Sequence, residues 1–152
     1  MKMRIIDIIV HVLCLLLIIA SLAVVILAWR ELPEQIPTHF GFNGEIDGYG
    51  GKGTVFLMPG IMVVSYILMT VVEFFPGTWN TGVKVTARNR EKVYGITKNL
   101  LITVKLTMVA IFAFLSVWLT HCEPLPGWFL PVSMAAVLGG TGYWSIRLLL
   151  AK

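Results

Sequence analysis

The sequence predicts an all-α membrane protein: four transmembrane helices in a bundle, with a short extracytoplasmic, hairpin-like loop between helices 1 and 2. Three observations carry this expectation. Four apolar stretches, residues 5–29, 54–75, 100–120 and 128–150, each approach the roughly 20 residues needed to cross a hydrocarbon core. The 152 residues are 57% hydrophobic and only 13% charged, against about 25% charged in an average water-soluble domain. The basic residues also sort to one side of the four stretches. Little chain remains between them for a soluble catalytic module, so residues 1–152 are read as a single integral membrane domain.

The first stretch follows Lys2 and Arg4. Ala20-Ser21-Leu22-Ala23 loosely resembles a cleavage site, but the apolar run continues to Trp29, past a signal-peptide core of about 7–15 residues. We therefore read an uncleaved spanning helix. Cys14 lies inside it, without the small residue before it that lipoprotein cleavage requires. Cys122 lies in the last outer turn, at a different depth from Cys14, whereas a disulfide needs Cα atoms within about 7 Å. Neither cysteine has a partner at metal-ligand spacing, and both are read as apolar fillers.

Lys2 and Arg4 precede the first span, Lys84, Arg88, Arg90, Lys92 and Lys98 occupy the connection between spans two and three, and Arg147 and Lys152 close the chain. The connection between spans one and two sets only Arg30 and Lys52 against Glu31, Glu34, Glu45 and Asp47. The last turn holds Glu123 and no basic residue. By the positive-inside rule both termini and the middle connection are cytoplasmic. The net charge of +4 belongs beside anionic lipid and is not a nucleic-acid signal. Trp29, Trp118 and Trp128 fall at the outer interface and Trp79 at the inner one, as aromatic belts do.

The outer connection, residues 30–53, is the most distinctive part of the chain. Asn43-Gly44 is a strong hairpin signal, because a type I′ turn needs positive φ at both central residues. Pro33 and Pro37 impose an extended approach. The glycines at 48, 50, 51 and 53 make an irregular return, and Thr54 is placed to cap the second span by accepting a backbone N–H. An ideal two-residue hairpin pairs Phe40 with Asp47 and His39 with Gly48. Cross-strand partners share a face while neighbours alternate, so His39 and Asp47 would point to opposite sides unless a bulge intervenes. On that register no metal is expected there. Asp47 is read as ordering the turn through local bonds to the backbone, and His39 as bonding the loop or the helix ends. Gly51-Lys52-Gly53-Thr54 lacks the glycine spacing and the Ser or Thr of a phosphate loop.

The pattern Pro33-x-x-Ile36-Pro37-x-His39, followed by Gly44, Asp47 and Lys52, resembles the signature of a bacterial membrane-protein family of unknown function. The signature also occurs in the amino-terminal part of SdpI-type immunity proteins, which protect cells from the sporulation-delay toxin. The resemblance covers about twenty residues and the helix on each side. It implies a bacterial cytoplasmic (inner) membrane protein with this loop outside, and makes Pro37, His39, Gly44, Asp47 and Lys52 the candidates for a shared structural or binding role.

Four ionisable residues fall within the cytoplasmic half of the spans. Asp7 and His11, at i and i+4, share a face of the first helix, about 5 and about 10 Å in from Arg4 by helical rise. Glu73 closes the second span, and Lys105 lies about 10 Å past Lys98 on the third. Such groups usually face the bundle interior or pair, so Asp7, His11, Glu73 and Lys105 are the candidate intramembrane polar cluster, able to form a proton or ion path. The simpler alternative has Lys105 and Glu73 reaching to the interface and Asp7 favoured near a helix start. Gly139, Gly140 and Gly142 allow close helix approach, within the bundle or in a homo-oligomer. Pro59 and Pro131 sit near outer helix ends, where proline is tolerated. The basic connection from Pro76 to Asn99 is read as a topology determinant held against headgroups, with docking of a cytoplasmic partner as the alternative, and as helical from about Arg88.

No nucleophile–base pair, metal spacing or cofactor motif stands out, so neither an enzyme nor a cofactor is expected. The expected function is non-enzymatic: binding of a membrane or extracytoplasmic partner through the outer loop, for protection or signalling. The alternative is a small transporter, or a subunit of one, using the polar cluster.

Overall fold

The computed structural model describes residues 3–151; Lys2 and Lys152, used above in the charge argument, lie outside the described residues. The chain is mostly helical. Helix α1 spans Ile5–Ala28, a hairpin of β1 (Gln35–Phe40) and β2 (Ile46–Gly51) follows, and a short 3-10 segment, Lys52–Phe56, leads into α2 (Leu57–Glu73). Helix α3 spans Arg90–Trp118, is prolonged by a 3-10 turn, Leu119–His121, and is followed by α4 (Phe129–Leu149). Three helical segments, Ile5–Ala28, Lys52–Glu73 and Arg90–His121, are long and apolar enough to cross a membrane. The fourth helix has 21 residues, about 31 Å at helical rise.

Helix α3 is the hub. It packs against α1, α2 and α4, whereas α1 and α2 meet much less and α4 makes little contact with either. The sequence explains the first seam. Asp7, Val10, Cys14, Ile18, Ser21 and Val25 recur every three or four residues and are the buried stripe of α1, as a single helix face demands. On α3, Lys98, Ile102, Lys105, Val109, Ala113 and Ser116 do the same. Val10, Cys14, Ile18, Met62, Ile102, Val109 and Ala113 close into one core. The opposite faces of the helices leave large apolar residues such as Leu16, Ile19, Leu27, Leu68 and Leu138 exposed. Helix α4 meets α3 where Gly140 lies against Thr103, close enough that an added Cβ would stand 3.0 Å from the threonine methyl, and where the Trp144 indole N–H donates to Thr103 Oγ1 at 2.9 Å. Gly139 and Gly142 meet nothing within 4 Å, so of the three glycines only Gly140 serves internal packing.

Pro59 and Pro131 each occupy the third position of their helix, inside the first turn, where no intrahelical N–H bond is lost. The start of α3 is built by a reciprocal cap. The Thr86 N–H donates to Asn89 Oδ1 at 2.7 Å and the Asn89 N–H to Thr86 Oγ1 at 3.3 Å, while the Asn89 amide also reaches the carbonyl of Lys84 at 3.1 Å. Asn89→Ala is expected to cost about 0.5–2 kcal/mol, as lost caps do. Hydrogen exchange should register it as faster exchange over Arg90–Val93 with the rest of α3 unchanged.

Two local expectations fail. The hairpin turn is not type I′: Gly44 has φ +84° but Asn43 does not have positive φ. Instead the Gly44 N–H donates to the Gly41 carbonyl at 2.9 Å and the Gly41 N–H to the Glu45 carbonyl at 2.8 Å, a three-residue loop with glycine in the left-handed position. That geometry needs one positive-φ residue rather than two. Nor does Thr54 accept a backbone N–H. Its hydroxyl donates to the Gly51 carbonyl at 2.8 Å, because a 3-10 segment precedes α2 and shifts the helix start to Leu57.

Candidate functional site

The hairpin is fastened to the ends of the helices. Ile36, on β1, is buried with Val25, Leu32, Val55 and Leu119, and Pro37 beside it is also fully buried. The Leu125 N–H donates to the Gly44 carbonyl at 2.8 Å, so the connection between α3 and α4 clasps the hairpin tip. A Cβ on Gly44 would stand 2.5 Å from the Leu125 carbonyl oxygen, so glycine is required there for space as well as for φ. Lys52 lies with its ammonium 5.1 Å from the centre of the Trp29 ring, a cation–π contact that ties the return strand to the end of α1. Its backbone N–H donates to the Glu34 carbonyl.

His39 and Asp47 are brought together, against the expectation from an ideal register. His39 pairs with Gly48 as expected, but Pro37 pairs with Tyr49 and Phe40 with Ile46, so the register slips on both sides of His39 and leaves Thr38 and Asp47 as extra residues. A bulge re-aims the side chain it carries, and His39 Nδ1 lies 2.5 Å from Asp47 Oδ1. Asp47 therefore bonds the imidazole rather than its own backbone. The pair is solvent-facing, with side chains 73% and 45% exposed. Phe42, 85% exposed, and Tyr49 also stand free of the core. No group of three or more metal-ligating side chains occurs among the described residues.

At the other end of α1 the four candidate cluster residues Asp7, His11, Glu73 and Lys105 divide into two storeys. Asp7, 1% exposed, accepts from the Arg4 backbone N–H at 2.8 Å and from the Arg4 guanidinium at 2.8 Å. It also accepts from the Lys98 ammonium, and Arg4 reaches on to Asn99 Oδ1 at 2.7 Å. Asp7 thus joins Lys98, which sequence reasoning counted only as a loop charge. The 3- and 4-residue spacing of Lys98, Ile102 and Lys105 was the signal that would have placed Lys98 on the buried face of α3.

Deeper, two turns along α3 from Lys98, Lys105, 0% exposed, donates to Glu73 Oε1 at 2.5 Å. Its ammonium lies 3.5 Å from both ring nitrogens of His11, and His11 Nε2 lies 3.5 Å from Glu73 Oε2. Tyr66, which the sequence reading did not single out, completes the group: its hydroxyl is 3.0 Å from His11 Nδ1, and its ring centre is 5.5 Å from the Lys105 ammonium. Lys105 and Glu73 are paired inside the protein and do not reach out to the interface.

Lys84, Arg88 and Lys92 surround an open basin beside Thr86, Asn89 and Ala151, with no acidic side chain in its wall. Both cysteines carry free thiols. Cys14 belongs to the core of the helices, whereas Cys122 packs beside Leu119 in the cluster under the hairpin, and burial pushes its thiol pKa up, away from nucleophilic character.

A curated protein of Archaeoglobus fulgidus, described as "Uncharacterized protein", is 30% identical over 47 residues, which make up 31% of this chain and 26% of that one. The chain thus spans about a quarter of that relative's length. No solved structure matches. Residues 16–63, from the middle of α1 through the hairpin into α2, match the family described as Domain of unknown function (DUF1648).

Proposed function

We infer that the chain is a non-enzymatic, four-span protein of the cytoplasmic membrane, with both termini inside, whose outer hairpin recognises a membrane or extracytoplasmic partner. The observation that carries this reading is the two-sided hairpin. One side is anchored in the helix ends through Ile36, Pro37 and Gly44, while His39, Asp47, Phe42 and Tyr49 remain exposed on a braced scaffold. Rigid presentation of a polar pair beside exposed aromatic rings suits recognition, because little conformational freedom is lost on binding. The family match falls on this segment. The basic residues near the opposite helix ends, Arg4, Lys84, Arg88 and Arg147 among them, support the orientation. The resemblance to SdpI-type immunity proteins favours a protective or signalling role, with a toxin or another extracytoplasmic polypeptide as the class of partner.

A photoreactive amino acid replacing Phe42 is expected to yield a light-dependent adduct with a second protein in native membranes. His39→Ala and Asp47→Ala are expected to abolish the adduct. They should change stability by less than about 1 kcal/mol, as exposed ion pairs do, so its loss would report recognition rather than unfolding. Adducts with lipid alone, or adducts untouched by both substitutions, would defeat the reading.

A further inference from the structure

We propose that His11, Glu73 and Lys105 form a proton-binding site near the end of the helices opposite the hairpin, and that this site is a dead end rather than a conduit. The inference does not depend on what the hairpin binds. Three helices converge on the site: α1 supplies His11, α2 supplies Tyr66 and Glu73, and α3 supplies Lys105. The Lys105 ammonium is 2.5 Å from Glu73 Oε1 and 3.5 Å from both imidazole nitrogens. One carboxylate therefore faces two groups able to carry positive charge.

A buried site of low dielectric favours balanced charge. Glu73 balances one cation, so a proton on His11 competes with the Lys105 ammonium for the same carboxylate. That competition makes the cluster responsive to protons, which an isolated Lys–Glu pair would not be. Tyr66 supplies the local adjustment. A phenolic hydroxyl can donate or accept, so it donates to Nδ1 of the neutral ring and accepts from Nδ1–H of the charged one, 3.0 Å away. On the same face of α2, one turn along, the buried Thr70 hydroxyl has no hydrogen-bond partner among the described residues. In this step a proton from water adds to the Nδ1 lone pair, no covalent bond of the protein breaks, and nothing is oxidised or reduced.

The surrounding charges leave the competition intact. On α1, Asp7 lies one turn nearer the helix start, but its oxygens are held by Arg4 and Lys98. On α3, Lys98 is bound to Asp7, and α4 contributes no charged group to the cluster among the described ion pairs. Toward the hairpin the relay stops. Beyond Lys105 the interior is Cys14, Ile18, Met62, Val109 and Ala113. The hydroxyls of Ser21 and Ser116 donate to carbonyls of their own helices, those of Ile18 and Phe112. Among the described residues, no His, Lys, Arg, Asp or Glu lies in this part of the core to carry a proton onward.

The test uses the full chain in lipid nanodiscs with nitrogen-labelled histidine, read by imidazole NMR across about pH 5 to 8, the range in which histidine titrates. Substituting His39 and His121 assigns the His11 signals. Glu73→Gln is expected to move the His11 transition to lower pH and Lys105→Met to higher pH, each by about one unit, a tenfold change in proton affinity. Should either charge variant fail to fold, Tyr66→Phe keeps the ring and removes the hydroxyl, and is expected to shift the Nδ1 resonance of the neutral imidazole. A His11 spectrum that is the same in the parent and in every folded variant would overturn the site. In proteoliposomes carrying a pH gradient, dissipation no faster than in protein-free vesicles is expected. Faster dissipation, removed by His11→Gln, would overturn the dead end.

Discussion

Lys105→Met is expected to destabilise the protein by about 3–5 kcal/mol, the usual cost of removing one partner from a buried ion pair. Lys105 is fully buried and its ammonium is bound to Glu73. Methionine fills much of the same volume, so the loss comes from the stranded carboxylate, which above the His11 transition faces only a neutral imidazole. Thermal unfolding of the full chain in detergent, followed by tryptophan fluorescence, should show a lower midpoint. The double substitution Lys105→Met with Glu73→Gln should recover most of the loss, because replacing both members of a buried pair by uncharged groups is often close to neutral. A double variant as unstable as the single one would mean that packing, not stranded charge, dominates at this position.

Gly44→Ala is expected to have the second largest effect, for two reasons that act at one atom. The residue sits at φ +84°, where an L side chain costs about 1–2 kcal/mol. Its new methyl would also stand 2.5 Å from the Leu125 carbonyl oxygen. That oxygen belongs to backbone, so the connection between α3 and α4 must move, at the cost of about 1–3 kcal/mol typical of overpacking. The hydrogen bond from the Leu125 N–H to the Gly44 carbonyl is expected to be lost with it. Limited proteolysis should then cut between Cys122 and Gly127 more readily, while hydrogen exchange in the α1–α3 core stays slow. Unchanged proteolysis would show that the clasp does not hold the hairpin tip in place.

Much of the secondary structure was legible because its causes are local. The apolar runs at 5–29 and 128–150 correspond closely to α1 and α4, and the reading of helix from about Arg88 agrees with the start of α3 at Arg90. The hairpin was visible in its prolines and glycines, and the pairing of His39 with Gly48 followed from counting across the turn. The bulge was not visible. The three-residue turn moves the register by one residue from the two-residue count, so that Phe40 meets Ile46 and Pro37 meets Tyr49, and its geometry is shared with Leu125, about eighty residues along the chain. Once Asp47 becomes an extra residue, it turns toward His39, and the same two side chains acquire a contact that the ideal register denies them.

The polar cluster shows the same division. Residue spacing shows that Asp7 and His11 share one face of a helix, as do Lys98 and Lys105. It cannot show which of these faces oppose each other, nor at what height. The packing of α1 on α3 sets Asp7 against Lys98 and brings His11, one turn further along α1, to Lys105, two turns further along α3, and α2 adds Tyr66 and Glu73 to the second storey only.

From its sequence alone, this protein is an apolar helical chain of membrane-spanning character with one proline- and glycine-marked hairpin after its first helix. Hydrophobic run length, turn chemistry and the restriction before proline all act within a few residues, so they can be read in order along the chain. Only the tertiary structure decided that α3 is the hub, that the hairpin tip is clasped by Leu125, that Asp47 faces His39, and that Lys98 rather than His11 is the partner of Asp7. Those outcomes depend on the relative height and rotation of elements far apart in the chain, which are set by how buried side chains interlock.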